Sequence, residues 1–195
     1  MLLVRLETPS PRGQYIIRHV LEIAGIPVRF VQGDEEFRSA TGPKLNYGPT
    51  PIEGAYHVPS SGALEELPIR DPAVGECSSM RVLYPIGDRF DIFRASFYFL
   101  SLVDEVRCTS KDAHGRNDQA SLFAVRKGFS EEPWIDRWAL DLGRTLEKRW
   151  PGISSKQRRY SHVATMDMDS LLRYAGRPLS RAIGASVKEV LGGSF

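Results

Sequence analysis

The first thirty residues carry the strongest constraint on the fold. Leu2 to Leu6 is a short apolar run, and "PSPRG" interrupts it. "QYIIRHVLEIAG" then places Tyr15, Ile16, Val20, Ile23 and Ala24 at helical spacing, with Gly25 as the stop. "IPVRFVQ" follows, with Val28 and Phe30 alternating around Arg29, as in a strand. Strand, helix and strand within one short segment form a βαβ unit, which requires a parallel strand pair and a right-handed crossover.

Between Gly33 and Pro85 glycine and proline punctuate the text. Short runs at Lys44–Tyr47, Ala55–Val58 and Met80–Tyr84 read as strands between turns. "GDRFDIFRASFYFLSLVDEV" then predicts a helix near 90–104, capped by Asp88 and with Asp91 at its third position. Phe90, Ile92, Phe93, Phe97, Phe99, Leu100, Leu102 and Val103 point in nearly every direction, so this helix belongs in the middle of a domain. "PWIDRWALDLGRTLEKRWPG" predicts an amphipathic helix over 133–150, with Ile135, Trp138, Leu142 and Leu146 on its inner stripe. The expected fold is therefore α/β: a mixed sheet with an N-terminal βαβ unit, a buried central helix and a packed amphipathic helix.

Charge and cysteine usage bound the partners. A formal net charge of +2 on 195 residues gives no electrostatic argument for nucleic acid or an anionic membrane. The early apolar run is broken by Arg5 and Glu7, too soon for a signal-peptide core, and the run from Phe90 to Val106 is broken by Arg94. Cys77 and Cys108 have no metal-type spacing and read as thiols of a reducing compartment, so a cytoplasmic protein is expected.

Several groups could carry chemistry. In "ATMDMDS", Asp167 and Asp169 stand one residue apart after a short apolar run. At the end of a strand, such a pair lies on one side of the backbone and can share a divalent cation or divide into ligand and base. Haloacid-dehalogenase-like phosphatases and Asp-x-Asp glycosyltransferases use the same arrangement, the former with far more chain behind it and the latter behind a nucleotide-binding half. Two solvated aspartates at a strand–turn junction would look the same. "DAHGR" offers Asp112, His114 and Arg116, either as a metal or substrate contact or as a loop held by local hydrogen bonds. The histidines, His19, His57, His114 and His162, show no ligand spacing. "GPKLNYGPTP" reads first as turn chemistry, with Lys44 and Tyr47 as candidates for contact with a glycan.

Five stretches taken together resemble a known family. "GPKLNY", "FDIFRASFYFLSLVDE", "DAHGRNDQASLFAVRKGF", "PWIDRW" and "TMDMDSLLRYAGRP" occur in the order seen in bacterial polysaccharide-deacetylase-like proteins. In those proteins a domain of unknown function precedes a deacetylase (NodB-homology) catalytic domain. The resemblance runs from about Tyr15 to the C terminus. Where the family usually has Arg-Tyr-Glu-Glu-Tyr, this chain has Leu102-Val103-Asp104-Glu105-Val106, and the usual Gly-Arg-Phe is Gly115-Arg116-Asn117.

The resemblance implies an accessory α/β domain over residues 1–158 and, over 159–195, the truncated first β-α element of a deacetylase barrel. It implies that Asp167 is a general base and Asp169 a metal ligand, both in an incomplete site. No cofactor is expected in this chain, and a zinc-like divalent metal is expected in a complete deacetylase domain. The implied partners are the missing catalytic domain and carbohydrate, with no nucleic acid and no membrane. Leu171, Leu172, Val187, Val190 and Leu191 would lack barrel neighbours, so self-association through the 160–195 tail is a further expectation. The alternative is a complete small metal-dependent hydrolase using Asp167, Asp169, Asp112 and His114.

Overall fold

The computed structural model describes residues 1–62, 64, 71–155 and 159–166. Its centre is a four-stranded parallel sheet in the order β2-β1-β3-β4. The strands are β1 (Leu2–Leu6), β2 (Val28–Phe30), β3 (Lys44–Gly48) and β4 (Tyr56–Pro59). β1 pairs with β2 on one side (Leu2 with Val28) and with β3 on the other (Leu3 with Lys44). Helix α1 (Pro11–Ile23) links β1 to β2, which is the expected βαβ unit. The helix starts earlier than its apolar spacing suggests, because the Ser10 side chain accepts from Gly13 N–H at 3.0 Å and Pro11 suits the first turn. Tyr15, expected on its inner stripe, is instead 62% exposed.

Strand β1 is buried on both faces, as a central parallel strand should be. Leu2, Val4 and Leu6 meet Ile16, Ile17, Val20 and Leu21 of α1 in the main core. Leu3 joins Val31, Phe37 and Ala55 in a second, smaller cluster under α2 (Asp34–Ser39). The period-two alternation of a strand divides the residues between the two faces in this way.

The sheet differs from expectation: it is purely parallel, not mixed. Antiparallel pairing is confined to two separate hairpins, β5 (Val74–Cys77) with β6 (Met80–Leu83), and β7 (Pro85–Ile86) with β8 (Arg89–Phe90). Ser78 and Ser79 turn the first hairpin at φ of 49° and 62°, the left-handed pair that a tight two-residue turn requires.

The central helix also differs. Phe90 belongs to β8, and the helix is α3 (Ile92–Leu100), separated from α4 (Val103–Arg107) by Leu102 at φ 51°. Asp88 lies between the paired residues of the second hairpin, and the cap is Asp91. Tyr98 is fully buried despite its polar tip, while Leu100 and Leu102, expected in the core, are exposed. A 3₁₀ turn (Gln119–Ser121) and α5 (Phe123–Arg126) lead to α6 (Trp134–Arg149). Trp138, Leu142 and Leu146 of α6 enter the main core as predicted, and Ile135 packs at its margin. Gly143 lets α6 approach α1 closely: a Cβ there would lie 2.9 Å from that of Ala24.

The chain divides into two compact units, Met1–Gln157 and Arg158–Phe195, and every element named above lies in the first. Residues 159–166 form no helix or strand, and Val163, expected in a barrel strand, is 80% exposed. Asp167, Asp169 and the apolar residues from Leu171 to Leu191 lie outside the described residues. No helix among the described residues is long and apolar enough to cross a membrane.

Candidate functional site

In a sheet of order β2-β1-β3-β4 the chain leaves β1 toward one edge and returns on its other side at β3. The carboxyl ends of these two strands therefore frame the crevice where parallel α/β folds place their ligands. A depression of about 270 Å³ lies there. Glu7 and Thr8 follow β1, Ser10 caps α1, Tyr47 and Gly48 end β3, and Ser60 follows β4.

Beneath it sits Asp91, the only carboxylate buried among the described residues. Its oxygens accept from Tyr47 Oη at 3.1 Å, from Ser61 N–H at 2.7 Å, from Ser61 Oγ at 3.0 Å and from Arg94 N–H at 2.9 Å. Arg94 reaches back, donating from Nη1 to the Ser61 carbonyl at 3.0 Å. One side chain thus caps α3, ends β3 and fixes the loop after β4. Burial pushes the Asp91 carboxyl above its usual range, against the opposing pull of the Ser61 and Arg94 N–H groups. Burial, reinforced by the Asp91 charge, raises the Tyr47 phenol as well.

The residues singled out from sequence take different roles. Tyr47 is buried against Asp91, with its ring edge-on to Phe93 at 5.1 Å and its hydroxyl given to that carboxylate. Lys44 is also buried; its Nζ donates to the carbonyls of Phe37 (3.2 Å) and Arg38 (3.3 Å) at the end of α2. In this structure both side chains are held by structural contacts. Every residue of their strand is buried, and the polar tip of each is taken up by an internal partner.

Asp112 holds its own loop. It accepts from the N–H of His114 (2.8 Å) and of Arg116 (2.9 Å), and pairs with the Arg116 guanidinium at 2.8 Å. The Arg116 N–H, with His114 N–H and the guanidinium adding to it, holds this carboxyl below its ordinary value. Asp104 receives Ala124 N–H at 2.9 Å and ties α4 to α5. Of the histidines, His57 Nε2 lies 2.8 Å from the Gly48 carbonyl and His19 stacks on Tyr15. His114 and His162 are exposed. Cys77 and Cys108 are free thiols that donate to the carbonyls of Asp88 and Ser110. Among the described residues no three His, Cys, Asp or Glu side chains converge as metal ligands would.

Sequence reasoning missed Asp91 as the hub. It could have been suspected from the cap position that the Asp-x-x-Arg spacing offers, but its partners Tyr47 and Ser61 are remote in sequence. A protein-family model, for a family whose function is unknown, matches residues 2–151. No curated protein and no solved structure matches the chain.

Proposed function

The chain belongs to that family, DUF7033, and we propose, on the sequence motifs and not on the family match, that residues 1 to about 158 are a non-catalytic accessory domain of a polysaccharide-deacetylase-like protein acting on cell-surface carbohydrate. One observation carries the non-catalytic reading. Asp91, the buried carboxylate at the strand ends, faces four donors that lock helix, strand and loop together. A carboxylate that ties three elements together in this way is a structural hub, which supports the accessory reading. The deacetylase connection rests on the order of the five sequence motifs.

In this reading Asp167 would be the general base and Asp169 a ligand to a zinc-like divalent ion, in a catalytic domain that starts near residue 159. The competing hydrolase reading would draw on Asp112, whose carboxylate is already engaged by Arg116 and two N–H groups. The test has two parts. The reading frame should run on past Phe195 into histidine-containing motifs, and its product should deacetylate N-acetylated oligosaccharides in an Asp167-dependent manner. Metal-dependent hydrolysis by the present chain, abolished in Asp112→Ala, would overturn the proposal in favour of the small hydrolase.

A further inference from the structure

A second cavity, of about 210 Å³, opens between β4, the β7–β8 hairpin and α6. At about 30 Å³ per water it has room for a few waters or one small ring. Trp138, Asp141, Leu142 and Thr145 line one wall, and their spacing of three, one and three residues puts them on one helix face. Tyr56, Arg89 and Phe90 also line the cavity.

The polar groups in this cavity are unlike those of the Asp91 network, because several lack partners. The Asp141 carboxylate makes no hydrogen bond or ion pair among the described residues, and neither does the Tyr56 hydroxyl make a hydrogen bond. Arg89 does not neutralise Asp141. It donates from Nη1 to the His57 carbonyl at 2.7 Å and lays its guanidinium 5.5 Å from the Tyr56 ring centre. A guanidinium has five N–H donors, so others remain to be used. Burial raises the Tyr56 phenol above its ordinary value, and its O–H can donate or accept.

We propose that this cavity binds one pyranose unit of an oligosaccharide. The inference rests on the carbohydrate-accessory reading above and gives it a location. Vicinal hydroxyls both donate and accept, so they can satisfy an acceptor-only carboxylate and a donor-only guanidinium at once. The apolar C–H face of the ring suits the faces of Tyr56 and Phe90. A simple anion would meet Asp141 and a simple cation would meet Arg89. A purely apolar ligand would leave both charges and the phenol unpaired.

The test is titration calorimetry of the full chain with a short oligosaccharide of β-linked N-acetylglucosamine. Glycine, a zwitterion, serves as a parallel probe. Asp141→Ala should weaken sugar binding about tenfold or more, the loss expected for a hydrogen bond to a charged group. Tyr56→Phe, which keeps the ring, should weaken it less. Melting temperatures of both variants should match the parent, which separates lost recognition from lost folding. Sugar binding unchanged in both variants would overturn this site while leaving the accessory reading standing. Binding of glycine and not of the sugar, or of neither, would also overturn it; the deacetylase connection would then be judged by the reading frame and the activity of its product.

Discussion

At the scale of single residues, Asp91 has the largest predicted effect. Replacing it with Asn removes one acceptor oxygen and introduces an N–H group facing four donors. At least one buried donor is then unsatisfied, which costs roughly 1–3 kcal/mol. Tyr47→Phe removes only one of those donors and should cost about 1 kcal/mol or less. The pH dependence has a defined sign. Burial raises the native Asp91 carboxyl above its unfolded value of about 3.9. Above about pH 4 the native state therefore binds more protons than the unfolded chain, and the Asp91 contribution falls as pH rises through that window. Melting curves should show the wild-type advantage over Asp91→Asn shrinking as pH rises above about 4. An advantage that grows with pH would mean that the hydrogen bonds, not burial, set the titration. The role of Asp91 was hard to read from the sequence because Asp88 and Asp91 both precede the helix. The β7–β8 hairpin takes Asp88, and contacts with Tyr47 and Ser61 select Asp91.

Two predictions belong to the elements. A glycine in the middle of a helix normally costs about 1 kcal/mol against alanine, so Gly143→Ala would ordinarily stabilise. Here the added methyl would lie 2.9 Å from the Ala24 Cβ, where α6 crosses α1. Overpacking of that kind costs about 1–3 kcal/mol, so the melting temperature should fall; a rise would mean that the helices separate at little cost. Leu102, at φ 51° and 55% exposed, has the opposite expectation. Leu102→Gly should be neutral or stabilising by up to about 1 kcal/mol in denaturant titration, because glycine adopts the left-handed conformation without penalty. A clear loss would show that the leucine's packing outweighs its strain. The elements also show where sequence patterns suffice. The βαβ unit and α6 were legible because their apolar periods are long and their ends are marked. Helix α2 was missed: six residues with Phe37 as the only buried one leave no period to detect. The parallel pairing of β4 was hidden by its link to β3, since so short a connection normally makes an antiparallel hairpin. Here Ile52 and Ala55 in that link pack beside Phe37, which carries the chain over the sheet and back in the same direction.

For the whole molecule, the family match over residues 2–151 and the first compact unit, Met1–Gln157, coincide closely. A chain ended after Gln157 should unfold in one cooperative transition, within a few degrees of the full chain, and should self-associate less in sedimentation. A broad transition would place residues beyond 157 in the core. The candidate site follows the same division: the crevice and the cavity are built by chain order and long-range packing, which no local pattern reveals.

The strand order also has a consequence for how the molecule is made. Of the four strands of the sheet, the first to be synthesised is one destined for its interior. Its two partners, at Val28–Phe30 and Lys44–Gly48, are synthesised only later. Until the second of these emerges, the Leu2–Leu6 segment keeps an open edge of apolar residues. The nascent chain therefore passes through an interval in which a segment destined for the core is an adhesive one.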